Sequence, residues 1–213
     1  MKMRLEKYLG FSSDKIQLIS PSPSNYIVPN EKLNSSGRYI FLSGLAPHKN
    51  LWRLYEVAQH LKQMHCKVKL VVTANKQQWQ SSLRIEKIDE SLVNEYFDFL
   101  ESVPQKEITN VYKNAEALVL LSDLESFSNN HMEAWKAGVP QIVSKRDFMT
   151  SICKDSALFC EPHEPKSVAY AIEKMHKDEQ LREFLVNEGK KLLQLLPSQE
   201  QRTSNLLELI RRA

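Results

Sequence analysis

Much is missing from this 213-residue chain, and each absence closes off a class of function. No stretch is long and apolar enough to span a bilayer. Met1-Lys2-Met3-Arg4 leads into no apolar segment, so a secretory signal is not expected. The three cysteines, Cys66, Cys153 and Cys160, lack metal-ligand spacing; such a set fits reduced thiols in a cytoplasmic protein. On that view the sequon Asn34-Ser35-Ser36 is a chance match. There is no Asp-x-Asp pair and no His/Cys cluster, and no metal site is expected. There is no block of like charges, no basic stripe interleaved with aromatics, no internal repeat and no low-complexity tract. A net charge of +3 is mild: it favours an anionic ligand or membrane surface weakly and does not call for nucleic acid. What remains is a chain with 42% hydrophobic residues, enough for a globular core of one domain or slightly more.

The most informative stretch is 117–144. Ala117-Leu118-Val119-Leu120-Leu121 is an apolar run, followed by the polar Ser122 to Asn129. Asn130-His131-Met132-Glu133 has capping-box spacing, which predicts a helix opened by the Asn130 side chain with Glu133 reaching back. Gly138 suits a left-handed helix end, and Pro140 blocks continuation. Gln141-Ile142-Val143-Ser144 is the next strand. A loop that leaves a buried strand and opens a helix gathers unpaired backbone N–H groups, and these with the helix dipole attract an anion, often a phosphate.

Glu125-Ser126-Phe127, seven residues between two glutamates, Glu133-Ala134 and Gly138-Val139-Pro140 together resemble the E-x7-E signature of retaining GT-B glycosyltransferases, family 4. The resemblance implies a site for a nucleotide-sugar donor on Glu125, Ser126, Phe127, Ser128, Asn129 and Glu133. The plainer alternative is a capping Glu133 and a solvated Glu125. Ser43-Gly44-Leu45-Ala46-Pro47-His48-Lys49 follows the apolar run 39–42 and precedes helical spacing at Leu51, Leu54, Tyr55, Ala58 and Leu61. It resembles the family's Gly-x-Leu-x-Pro-x-Lys loop, so Lys49 is expected at the donor diphosphate. Many members carry an arginine where this chain has Gly44; alternatively the glycine lets backbone approach the ligand closely. Where members often have a Gly-rich turn, this chain has Thr73-Ala74-Asn75-Lys76. By the same resemblance the main chain near Val103 cradles the donor base.

Around these motifs the chain alternates strand and helix. Strands are expected at 39–42, 68–73, 96–100, 117–121, 141–144 and 157–160. Helices are expected at 105–113, from Pro165, at 181–196 and at 198–211, with Tyr112 in the core. Trp79, Leu83 and Ile85 suggest a mixed surface helix or loop. Lys145-Arg146-Asp147 reads as a solvated turn. Lys2–Leu9 is a short amphipathic helix ended by Gly10, and Lys15–Ile19 alternates like a strand. Consecutive parallel strands joined by right-handed crossovers give an α/β fold, a Rossmann-like doubly wound parallel sheet. The resemblance makes it one half of a GT-B fold. Residues 1–38 are then a lead-in from an N-terminal acceptor domain, 39–196 the nucleotide-sugar-binding domain, and 197–213 a terminal helix. About 150–200 further residues are expected upstream, in the same chain or as a separate one.

The implied chemistry needs no cofactor. Lys49, the backbone amides at 127–131 and the helix dipole would stabilise a departing nucleoside diphosphate, with Glu125 on the donor sugar and Glu133 on the ribose. Lys49 and Glu125 are the catalytic candidates. The full enzyme would work in the cytoplasm, with peripheral membrane association compatible with its charge. Three rivals stand beside it. One is a nucleotide-sugar-binding module without catalysis, suggested by Gly44 and by Ser128 in place of a commoner glycine. Another is a metal-dependent transferase using Asp123-Leu124-Glu125. The last is a non-enzymatic scaffold.

Overall fold

The computed structural model describes residues 2–83, 85–125 and 127–212. Elements are numbered in chain order. Helix α1 (Lys2–Leu9) leads through a 3-10 turn and an irregular segment to strand β1 (Arg38–Phe41). Helix α2 (Leu54–Gln63) and strand β2 (Lys69–Val72) follow, then α3 (Lys76–Ser82), α4 (Glu90–Tyr96) and β3 (Phe97–Phe99). Next come α5 (Ile108–Lys113), β4 (Ala117–Leu120), α6 (Asn129–Ala137), β5 (Gln141–Ser144), α7 (Asp147–Cys153) and β6 (Ala157–Cys160). Helices α8 (Pro165–Lys177), α9 (Glu179–Gln194) and α10 (Gln199–Arg212) complete the chain. Among the described residues no helix is long and apolar enough to cross a membrane.

The six strands form one parallel sheet in the order β3-β2-β1-β4-β5-β6. Alternate side chains feed two cores. Tyr39, Phe41, Leu70, Val72, Ala117, Val119 and Ile142 face α2, α3, α4 and α8. Ile40, Val71, Leu118, Leu120 and Val143 face α5, α6 and α7. A sheet covered on both faces needs strands that are apolar throughout, which is why these runs were visible as runs. The doubly wound Rossmann-like arrangement is therefore as expected. Strands β5 and β6 occupy the expected residues, β1 keeps its length but starts one residue earlier, and β2, β3 and β4 are shorter by one or two.

Three local expectations fail. Residues 15–19 are not a strand: Ser13–Lys15 is a 3-10 turn, and Leu18 lies 70% exposed. Residue 96 belongs to α4, a helix the alternation at 96–100 obscured; Asp89 caps it by accepting from the amides of Ser91 and Leu92. The capping box at 130–133 is not made. Helix α6 starts at Asn129 behind Ser128, whose side chain makes no capping bond. Asn130 Nδ2 instead donates to the carbonyl of Leu42, and Glu133 bonds to two tyrosines. Trp79 is fully buried, its Nε1 donating to the carbonyl of Leu51, so α3 is anchored in the core.

Beneath the sheet, Glu116 is a buried carboxylate that the sequence does not advertise. It accepts from the Gly37 amide and the Tyr39 hydroxyl, both at 2.7 Å, and pairs with His176. Burial and the neighbouring carboxylate push the Tyr39 phenol far up, so it remains a donor. This network ties the start of β4 to β1 and α8.

Helix α9 lies across α6 at Gly189, where the backbone meets the face of Trp135. A Cβ there would stand 3.1 Å from the indole Nε1 and closer still to Cδ1. Trp135 cannot yield easily, because it is buried and its Nε1 donates to Ser156 Oγ at 3.0 Å. Gly189→Ala should therefore destabilise the domain by about 1–3 kcal/mol through overpacking, although alanine is the better helix former. Urea unfolding checks this: a midpoint that stays or rises would show that α9 does not need the close approach.

Candidate functional site

The order of the sheet reverses between β1 and β4, so the loops leaving these neighbours run to opposite sides and open a crevice at their carboxyl ends. Both sequence motifs end there. After β1, Pro47–Lys49 forms a 3-10 turn, with Pro47 preset for its first position. Asn50 then takes a left-handed conformation, φ 58°, and a second 3-10 turn leads into α2. Asn50 is buried. Its Nδ2 donates to the carbonyl of Leu121 at 2.9 Å and to Asp123 Oδ2 at 2.8 Å. The Asp123 amide returns a bond of 2.8 Å to the carbonyl of His48. These bonds lock the β1 loop onto the β4 loop.

The lock brings Lys49 and Glu125 together, although 76 positions separate them. Lys49 Nζ donates to Glu125 Oε1 in an ion pair whose side chains are each about one-fifth exposed. Ser122 Oγ donates to the same oxygen at 3.1 Å. Phe127 is half-buried against the second core, Ser128 stands in extended conformation before α6, and Asn129 is exposed on its first turn. Ser126 lies outside the described residues. With no side chain capping at Ser128, the first-turn amides of α6 face the same loop.

Glu133 lies one turn further along α6 and is only 6% exposed. Tyr26, from the segment before β1, donates to Oε1 at 2.6 Å, and Tyr112 from α5 donates to Oε2 at 3.1 Å. Burial and the Glu133 carboxylate raise both phenols, so both act as donors. Tyr112 is core, as expected, yet its hydroxyl also serves the site.

Gly44 has φ in the ordinary range, and a Cβ built on it meets nothing within 4 Å. The fold would accept a long side chain here. Thr73 stands where a Gly-rich turn was expected and braces the strand ends instead, with Oγ1 donating to the carbonyl of Phe41 at 3.0 Å. Val103 is half-buried between β3 and α5, on the far side of β2 from β1; α5 then brings the chain back against α6.

The Lys145–Asp147 segment is more than a solvated turn. Arg146 bonds Asp123 through Nε and Nη2 at 3.2 and 3.1 Å, and Glu161 through Nη1 and Nη2 at 2.9 and 2.7 Å. His163 Nε2 lies 2.8 Å from Asp123 Oδ2. Burial works against the Asp123 charge, but bonds from His163, Asn50 and Arg146 hold its pKa below the usual range. Asp123 and Glu125 are thus paired with different cations, Asp123 with Arg146 and Glu125 with Lys49. His131 was not anticipated either. It is fully buried, with Nδ1 2.8 Å from Gln141 Oε1 and Nε2 without a hydrogen-bond partner among the described residues. Burial lowers its pKa, opposed by Gln141 and by the charge on Glu125. Nothing in its short polar surroundings in sequence signals this.

Comparison with known proteins bears on the family and the fold. Residues 26–192 match the family described as Glycosyl transferases group 1. The O-antigen chain mannosyltransferase RfbU of Salmonella typhimurium is 27% identical over 180 residues, covering 83% of this chain and 49% of that protein. The chain thus spans about half the length of this curated relative. Among solved structures, the C-terminal domain of LpcC, a glycosyl transferase group 1 family protein from Francisella tularensis, superposes with TM-score 0.64 at 17% identity, covering 82% of this chain and 97% of that one. Alr3699/HepE of Anabaena, solved with UDP and glucose, superposes with TM-score 0.77 at 13% identity, covering 100% of this chain and 61% of that one. The family match over most of the chain and the six-stranded parallel sheet lead to one conclusion: this chain belongs to the group 1 glycosyl transferases of the GT-B fold, in which it fits the C-terminal domain.

Proposed function

We propose that this chain is the donor-binding half of a retaining hexosyltransferase that uses a nucleoside diphosphate-sugar. The observation that carries the proposal is the Lys49–Glu125 pair beside an uncapped helix start at the switch point. An ammonium has three donors. One engages Glu125, and the others are available to diphosphate oxygens. As the glycosidic bond breaks, negative charge grows on the departing diphosphate; Lys49 and the first-turn amides of α6 are placed to stabilise it. Both bonds to Glu125 fall on Oε1, so Oε2 can accept from a sugar hydroxyl. Glu133 anchors the ribose, and the base lies toward Val103.

The acceptor and any general base would belong to an N-terminal domain, in the same chain or a separate one. The mannosyltransferase relative suggests polysaccharide, lipopolysaccharide or glycolipid synthesis, in the cytoplasm or at the inner face of a membrane. A second reading is a nucleotide-sugar-binding module without catalysis. Gly44 favours it, because nothing crowds the position and a cation there is nonetheless missing.

Calorimetry with UDP- and GDP-sugars at millimolar concentration is the direct test. Absence of heat with any of them, on folded protein, would count heavily against a donor site. Glu133→Gln keeps an acceptor for one tyrosine and loses charge-assisted bonds worth about 1.5–3 kcal/mol each. Melting temperature should fall as the bonds from Tyr26 and Tyr112 weaken, and donor binding to the protein that remains folded should weaken as well. A sharp fall in melting with intact affinity would make Glu133 a purely structural clamp.

The proposal also requires no divalent metal. Lys49→Ala should weaken donor binding by about 1–3 kcal/mol, equally in EDTA and in magnesium. Strong wild-type binding only with magnesium, untouched by Lys49→Ala, would promote the Asp123–Glu125 metal reading instead.

A further inference from the structure

Glu133 is closed off. It is 6% exposed, and a phenol holds each of its oxygens. A ribose diol could not reach it without something moving. The two phenols differ in that respect. Tyr112 is fully buried within the second core and has no path aside. Tyr26 is 38% exposed and belongs to no helix or strand. It lies at the surface, over the carboxylate, with its hydroxyl 2.6 Å from Oε1.

We infer that Tyr26 is a displaceable stopper: in the unliganded domain its hydroxyl takes the place on Glu133 Oε1 that a donor ribose hydroxyl takes on binding. The inference rests on the donor-site reading of Glu133. The chemistry matches on both sides, since a phenol and a ribose hydroxyl are each neutral O–H donors to a carboxylate. Tyr112 would stay on Oε2 and keep the carboxylate oriented.

The stopper is not isolated. The Tyr26 carbonyl accepts from Thr109 Oγ1 at 2.9 Å, and the Ser24 carbonyl accepts from Lys136 Nζ at 2.6 Å. Asn25 Nδ2 donates to Gln199 Oε1 at 3.0 Å, at the start of α10. On the other side Ile27 is buried, and the Asn30 amide donates to the carbonyl of Ala137. The anchor at Ile27 is a core contact and that at Asn30 a backbone hydrogen bond to α6. Those at Asn25 and Gln199 are exposed hydrogen bonds, which exchange readily with water. Displacement of Tyr26 therefore loosens the stretch before it, and with it the contact to α10.

The test compares wild type with Tyr26→Phe, which keeps the ring and removes the competing hydroxyl. Each is titrated with UDP and GDP and with their 2′,3′-dideoxy counterparts, which lack the ribose hydroxyls. Tyr26→Phe should bind the nucleotide with an intact ribose about tenfold tighter, the scale of one hydrogen bond to a charged acceptor. Its affinity for the dideoxy compound should equal that of wild type. Near-ultraviolet difference spectra should show a tyrosine perturbation on binding in wild type and lose most of it in the variant. Equal or weaker binding by Tyr26→Phe, while wild type binds, overturns the stopper and leaves the donor site standing. Failure of both proteins to bind any nucleotide overturns both. A melting curve confirms that the variant is folded.

Discussion

The crevice depends on the reversal of strand order between β1 and β4. Their neighbours are added outward in opposite directions, so no crossover covers the carboxyl ends of the central pair. Reversal alone makes a gap between two loops, and loops wander. Here Asn50 removes that freedom. It sits in a left-handed backbone, which asparagine tolerates better than most residues, and from there its amide reaches both the Leu121 carbonyl and Asp123. The bond from the Asp123 amide to the His48 carbonyl closes the connection from the other side. Lys49 and Glu125, the neighbours of these anchors, meet as a consequence.

The same economy governs the buried carboxylates. Glu116 and Glu133 lie at opposite ends of the central strands, and each would be costly to bury alone. Glu116 is satisfied by a backbone amide, a phenol, and His176. Those partners come from the packed framework, so the network is static. Glu133 is satisfied by two phenols, one of which is carried by a segment outside the regular elements. That difference separates a carboxylate held wholly by the packed framework from one with a partner on a segment outside the helices and strands.

Most of the fold was legible because a doubly wound sheet writes its strands as apolar runs. β5 and β6 stand where those runs are, and α6 ends at Gly138 with φ 73° as its glycine implied. The failures share a cause. Alternation at 15–19 describes a strand only if the segment pairs with another, and among the described residues it pairs with none. At 96–100 the pattern crosses the junction of α4 and β3, which follow each other without a loop, so two elements looked like one. Asn130 and Glu133 have capping-box spacing, but their partners are Leu42, Tyr26 and Tyr112, which are 88, 107 and 21 positions away. Local spacing cannot foresee such competition, since a distant donor with better geometry wins over a near one. The Lys49–Glu125 pair was expected at one site through a resemblance, yet its direct contact and the Asn50 lock behind it belong to tertiary structure.

The missing cation at Gly44 bears on how the crevice can hold a diphosphate. Arg146 lies on the same edge of the sheet and is the obvious substitute, but its charge is already committed. It faces Glu161 through two nitrogens and Asp123 through two, and the field of those carboxylates raises its pKa still further. Releasing it would take four charge-assisted bonds from Asp123 and Glu161, leaving Asp123 with Asn50 and His163. Lys49 differs because its partner among the described residues, Glu125, also receives Ser122 and stays satisfied when the ammonium turns part of its donor set elsewhere. On the proposed reading the diphosphate charge would fall on one lysine and on backbone amides. Amides gain most where water is excluded, because a fixed dipole is worth more in a low-dielectric site. On the proposed reading a second surface over the crevice, such as an acceptor domain, would strengthen binding by excluding water from these groups.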